Sequence, residues 1–187
     1  MTILNLPNIL ALLRIALAPL LLYILLIAQN SSIENAIHIG WYYYLAAFIF
    51  VIASITDFFD GYIARELDQK TKLGAIIDPL ADKMLMLAAF IGLASTGMAN
   101  VWAIYIIIVR ELFITGLRTA IVAEGLEVAA SWSGKIKTVV QMIAVGFLLM
   151  QWSGADTLLW FAVAFTLYSG YEYLSVYIKA IKKKGDL

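Results

Sequence analysis

The chain has 187 residues, 63% of them hydrophobic and 14% charged, and its thirteen basic and thirteen acidic side chains leave a formal net charge of zero. Soluble domains are nearer half apolar and a quarter charged, so this composition, with a mean hydropathy of +0.90, reads as an integral membrane protein. Zero net charge supplies no global field for nucleic acid, so no nucleic-acid partner is expected; the absence of cysteine excludes disulfides and thiolate-held metals.

A helix needs about 20 apolar residues to cross a bilayer. The sequence offers six such runs, over about 8–28, 39–63, 75–97, 100–123, 136–152 and 157–179. The expected fold is therefore all-α, a polytopic membrane protein with six transmembrane helices forming a single domain over 1–187. The first run follows Pro7 and Asn8, stays apolar to Ala28 and has no small-residue cleavage site after it, so it reads as a retained helix rather than a signal peptide. His38 is expected as a solvated side chain in the connection that follows. Trp41, Tyr42, Tyr43 and Tyr44 open the second run as an interfacial aromatic belt.

The connections alternate in charge. "AQNSSIENAIHIG", "STGMAN" and "QWSGAD" contain no Lys or Arg, whereas Arg14, Arg65, Lys70, Lys72, Lys83, Arg110, Arg118, Lys135, Lys137 and the tail Lys179, Lys182, Lys183 and Lys184 all fall on the other side. The positive-inside rule makes that side, with both termini, cytoplasmic. The lysine-rich tail reads as a solvated anchor near anionic membrane lipid.

Between the second and third runs lies "DFFDGYIARELDQKTKLGAIIDPLAD", residues 57–82, with six of the thirteen acidic residues. Asp57 and Asp60 are spaced i, i+3 and share a helix face; Asp78 and Asp82 are spaced i, i+4 and do the same. Two helix ends thus direct four carboxylates to one place. Like charges this close raise one another's pKa, and beside hydrocarbon they are costly. A divalent cation resolves both problems, and oxygen-only ligands suit Mg²⁺ or Mn²⁺ rather than zinc. Two such ions also suit phosphoryl transfer, where they clamp attacking and leaving oxygens. The plainer readings are an N-cap for Asp78 before Pro79, solvated loop charges for Glu66 and Asp68, and close helix packing for Gly61 and Ala64. Gly61 and Ala64 equally remove bulk where a phosphorylated ligand has to approach backbone.

The pattern Asp57-x2-Asp60-Gly61-x2-Ala64-Arg65-x8-Gly74-x3-Asp78-x3-Asp82 resembles the signature of the CDP-alcohol phosphatidyltransferase family, with eight identities over 26 residues. The resemblance implies six transmembrane helices, a homodimer, and transfer of a phosphatidyl group from a CDP-linked donor to an alcohol with release of CMP. Carried over by position, it makes Asp57, Asp60, Asp78 and Asp82 the ligands of two divalent ions, with Asp82 also the general base. It assigns Asn8, Gly61, Ala64, Arg65 and Gly74 to the CDP-diacylglycerol site.

The acceptor has to be read elsewhere. In "RELFITGLR", Glu111 and Arg118 are spaced i, i+7 and share a face, with Arg110 turned somewhat aside. "GKIKT" adds Lys135 and Lys137. Cations at helix ends suit an anionic second substrate, since arginine forks a phosphate and lysine adds point charge; snorkelling toward the interface is the alternative. "LNLPNILALLR", "RELFITGLR", "SGKIKT" and "YSGYEY" are similar to the bacterial branch of the family whose acceptor is sn-glycerol 3-phosphate. That similarity implies phosphate binding by Arg110, Arg118, Lys135 and Lys137, and a multi-pass protein of the bacterial inner (cytoplasmic) membrane with its active site facing the cytoplasm. Inositol phosphate or phosphatidylglycerol as acceptor, and a divalent-cation transporter, are the alternatives.

Overall fold

Asn5 starts the first helix. Its Oδ1 accepts the Asn8 amide at 3.2 Å and its carbonyl accepts the Ile9 amide at 3.0 Å, satisfying donors that a helix start leaves open. In the computed structural model six helices follow among the described residues: α1 Leu6–Asn30, α2 Ala36–Glu66, α3 Gly74–Ser95, α4 Val101–Ala123, α5 Trp132–Leu149 and α6 Ala155–Gly185. The structure describes residues 5–30, 36–66, 74–123 and 132–185; the side chains of 7, 36–39, 57–66, 75, 76, 78, 79, 122, 123 and 179–185 are not among the described ones. No strand occurs among the described residues.

Each helix coincides with one of the expected apolar runs, but α2 and α6 reach 31 residues each. Apolar content marks only where hydrocarbon would begin, while backbone hydrogen bonds keep a helix going beyond that boundary. For this reason the backbone of His38, expected in the connection, lies in the first turn of α2, which begins at Ala36. Among the described residues, Asn8–Asn30 is the segment long and apolar enough by itself to cross a membrane, and Gly40–Thr56 is a shorter apolar run.

Two connections are tight for a stated reason. After α3, the Met98 amide donates to the Leu93 carbonyl at 3.0 Å and the Gly97 amide to Ala94 at 3.2 Å, with Gly97 at φ 72°. This paired pattern closes a helix through a left-handed residue, where glycine has no Cβ to strain. Asn100 then caps α4, its Oδ1 accepting from Trp102 at 2.9 Å. After α5 the same pattern recurs with Gln151 at φ 54°, Trp152 donating to Phe147 at 3.0 Å, and the two rings edge-on at 5.0 Å.

The chain forms two compact units, residues 1–99 with 145–153, and residues 100–144 with 154–187. In the first, α1 packs on α2 and α3. Its buried positions Asn8, Ala11, Arg14, Ala18, Leu21, Leu25 and Ala28 are spaced three or four apart and form one stripe. Gly92 on α3 lies against Leu25, whose side chain a methyl at Gly92 would overlap; small residues let helices close up where packing replaces the hydrophobic drive. In the second unit α4 packs on α6, with Ile114, Ile121 and Tyr173 buried together.

The polarity is inverted relative to a water-soluble fold. Asn8, Arg14, Lys137, Gln141, Thr166 and Ser169 are buried, while Leu12, Leu13, Tyr23, Phe48, Leu112 and Phe113 are exposed. Contiguous apolar surface of this extent requires an apolar surrounding, in keeping with a membrane protein.

Candidate active site

In the first unit the carboxylate motif sits at helix ends. The last three turns of α2 carry Asp57, Asp60, Gly61, Ala64 and Arg65, and α3 carries Gly74, Asp78 and Asp82 in its first turns. Of these, Gly74 is buried and Asp82 half-buried; the side chains of the other six lie outside the described residues. Because α3 begins at Gly74, Asp78 is inside the helix and not at its N-cap. The cap explanation therefore fails. Among the described residues no three of His, Cys, Asp or Glu cluster closely enough to hold a metal, and Asp82 is the one motif carboxylate among them.

Two polar residues of α1 are buried in the same unit. Asn8 is 1% exposed and Arg14 is 0% exposed. Links of five and seven residues join α1 to α2 and α2 to α3, too short to return along a helix, so α1 and α3 run in the same direction. Leu25 faces Gly92; eleven residues earlier, Arg14 is level with Ala81 and Asp82. Charge counting along the sequence treated Arg14 only as an orientation marker. The signal that finds it is its place in the three-and-four stripe from Asn8 to Ala28, where a cation cannot be lipid-facing.

The second unit holds the cations. Arg110 on α4 donates from Nη2 to Ser169 Oγ on α6 at 2.9 Å and from Nη1 to Glu111 Oε1 at 3.3 Å. Lys137 on α5 donates to the same Glu111 oxygen. Lys137 is 6% exposed, which excludes snorkelling. Glu111 therefore bridges the two cations, and it was not singled out as a site residue from the sequence. Arg118 and Lys135 are exposed. Each rests near an aromatic ring, Arg118 Cζ 5.8 Å from the Tyr173 centroid and Lys135 Nζ 5.1 Å from that of Trp132, within cation–π range.

Arg110, expected somewhat aside from the face of Glu111 and Arg118, turns into the α4–α6 contact, while Arg118 is exposed. Helical periodicity measured from Glu111 predicts which residues share a face, but not which face α6 covers. The packing partner decides that, and Ser169 supplies the hydroxyl that Arg110 meets.

The family model for CDP-alcohol phosphatidyltransferases matches residues 4–168. Over 95% of its length the chain is 42% identical to the CDP-diacylglycerol–glycerol-3-phosphate 3-phosphatidyltransferase of Bacillus subtilis, covering 97% of that protein. It is 36% identical over 98% of its length to a probable phosphatidylglycerophosphate synthase of Mycobacterium tuberculosis, covering 85% of it. A third relative, the CDP-diacylglycerol–glycerol-3-phosphate 3-phosphatidyltransferase of Salmonella choleraesuis, is 35% identical, with 98% of this chain and 97% of the relative covered.

Proposed function

We propose a reaction for this chain from one premise: it belongs to the CDP-alcohol phosphatidyltransferase family. It is an enzyme of phospholipid synthesis, and the reaction is transfer of the phosphatidyl group of CDP-diacylglycerol to sn-glycerol 3-phosphate, giving phosphatidylglycerol phosphate and CMP. The observation that carries the acceptor assignment is the 42% identity, over nearly the full length of both chains, to a relative named for that reaction. The inward cations support it: Lys137 and Arg110 share one carboxylate, leaving a net positive cluster suited to a phosphate.

The oxygen-only donor set of Asp57, Asp60, Asp78 and Asp82, carried by two helix ends of one unit, fits two Mg²⁺ or Mn²⁺ ions. When bound, these ions neutralise the donor diphosphate and stabilise charge developing on departing CMP. Asn8, Gly61, Ala64, Arg65 and Gly74 bind CDP-diacylglycerol, Gly61 and Gly74 by admitting it close to backbone. Arg110, Arg118, Lys135 and Lys137 bind the acceptor phosphate. The acceptor C1 oxygen bonds to the lipid-side phosphorus as the bond to the CMP oxygen breaks; CMP takes the electron pair, and Asp82 takes the hydroxyl proton.

The chain is read as one six-span domain over 1–187, a homodimer in the bacterial inner membrane with both termini and the active site cytoplasmic. Six helices matching six apolar runs, and basic residues confined to one side of them, support that topology. The test is CMP release by the purified protein. Turnover with sn-glycerol 3-phosphate should greatly exceed that with glycerol, inositol phosphate or phosphatidylglycerol; a ratio to glycerol near one would overturn the acceptor assignment.

A further inference from the structure

The motif "YSGYEY" lies on α6. Ser169 and Tyr173 lie one turn apart on its buried face, 1% and 5% exposed. Each meets an arginine of α4: Ser169 Oγ accepts from Arg110 Nη2 at 2.9 Å, and the Tyr173 ring lies 5.8 Å from Arg118 Cζ. Gly170, also buried, lies against the Arg110 side chain. A Cβ there would stand 3.1 Å from Nε and 3.5 Å from Cγ, tight enough that the arginine would have to shift. We propose that Ser169 and Gly170 are positioning residues for the acceptor site, one anchoring the Arg110 guanidinium and the other leaving the channel along which its stem runs.

The physical need is specific. An arginine side chain has many rotamers, and fixing one costs conformational entropy. A guanidinium already anchored through Nη2 presents its fork without paying that cost when phosphate binds. Glu111 fixes the other terminal nitrogen at 3.3 Å, so the group is held from two helices. One turn toward the start of α6, Thr166 Oγ1 accepts instead from Gln141 Nε2 at 2.8 Å. That bond joins α5 and α6 without touching a cation, and so provides an internal control.

The inference rests on the reading of Arg110 as an acceptor-phosphate ligand, and the experiment separates the two. In CMP-release kinetics, Ser169→Ala and Gly170→Ala should raise KM for sn-glycerol 3-phosphate about three- to tenfold, with KM for CDP-diacylglycerol unchanged. Ser169→Thr, which keeps the hydroxyl, should restore most of the loss. Ser169→Ala added to Arg110→Ala should raise KM no further, since the two act through one group. Thr166→Val should leave both KM values unchanged. Equal rises for both substrates, additive effects with Arg110→Ala, or a Thr166→Val effect as large as that of Ser169→Ala would overturn the positioning role. If Arg110→Ala itself leaves the acceptor KM unchanged, the acceptor reading of Arg110 falls, and this proposal with it.

Discussion

Lys137→Met isolates the contribution of a buried charge. The side chain is 7% exposed and pairs with Glu111, which is 29% exposed and keeps Arg110 at 3.3 Å. Breaking a fully buried pair costs about 3–5 kcal/mol. Because Glu111 retains one partner and some solvent, the loss expected here is that of one charge-assisted hydrogen bond, about 1.5–3 kcal/mol. For a chain of this size that is a fall in Tm of about 3–12 °C, read by thermal unfolding in detergent. The same lysine contacts the acceptor phosphate in the proposed reaction, so KM for sn-glycerol 3-phosphate should rise about tenfold to a hundredfold. The double variant Lys137→Met/Glu111→Gln removes one charge of each sign and leaves Arg110 bonded to Ser169 but without its carboxylate, so Tm should recover only in part. Acceptor KM should stay high. Recovery of KM together with Tm would refute the reasoning, because Lys137 would then serve only to neutralise Glu111.

Other predictions concern the remaining parts. Asp57→Asn, Asp60→Asn and Asp78→Asn should each remove nearly all turnover with membrane insertion intact, and chelation should do the same until Mg²⁺ or Mn²⁺ is returned; substantial turnover in all three variants would sink the metal assignment. Asp82→Asn should lower kcat strongly while CDP-diacylglycerol still binds; loss of donor binding, with normal pH dependence of the residual rate, would make Asp82 chiefly a ligand. Arg118→Ala should raise acceptor KM, and Arg118→Lys should recover only part of the loss, since an ammonium cannot fork a phosphate; full recovery by lysine would reduce Arg118 to a point charge. Gly92→Val should destabilise the first unit by about 1–3 kcal/mol through overpacking against Leu25, and an unchanged Tm would deny the tight α1–α3 approach.

The six helices were legible because each coincides with a predominantly apolar run of the sequence, a signal that survives without knowledge of any neighbour. Their ends were less so. His38 and the last residues of α6 are helical although the local composition has turned polar, because hydrogen-bond continuity and not hydropathy sets where a helix stops. The placement of the carboxylate motif at the end of α2 and the start of α3 was legible in its spacing, and the start of α3 at Gly74 removed the cap reading of Asp78. What the sequence hid was pairwise. That Glu111 bridges Arg110 and Lys137, that Ser169 anchors Arg110, and that Arg14 lies level with Asp82 all depend on which helices touch. Periodicity within one helix carries no such information. It predicted a face shared by Glu111 and Arg118 with Arg110 turned aside, and it could not predict that Ser169 of α6 would meet Arg110.

One rule accounts for the charges of both units. In an apolar surrounding an unpaired charge is costly, so each must have its partner in the protein or in what the protein binds. Arg110 and Lys137 share Glu111, and the three together retain one positive charge. That arrangement keeps the empty site tolerable and still favours an anion. A phosphate monoester adds the negative charge that the cluster lacks; an unphosphorylated alcohol does not, and leaves the excess cation unsatisfied. In the proposed metal site the four motif carboxylates would form the opposite pattern, a cluster of negative charge that divalent cations offset. In the proposed reaction, selectivity for a phosphorylated acceptor and dependence on a divalent ion would be two consequences of the same electrostatic constraint. Removing Glu111 tests this directly. Glu111→Gln should raise the cluster's net charge, weaken the discrimination between glycerol 3-phosphate and other anionic acceptors, and steepen the dependence of acceptor KM on salt.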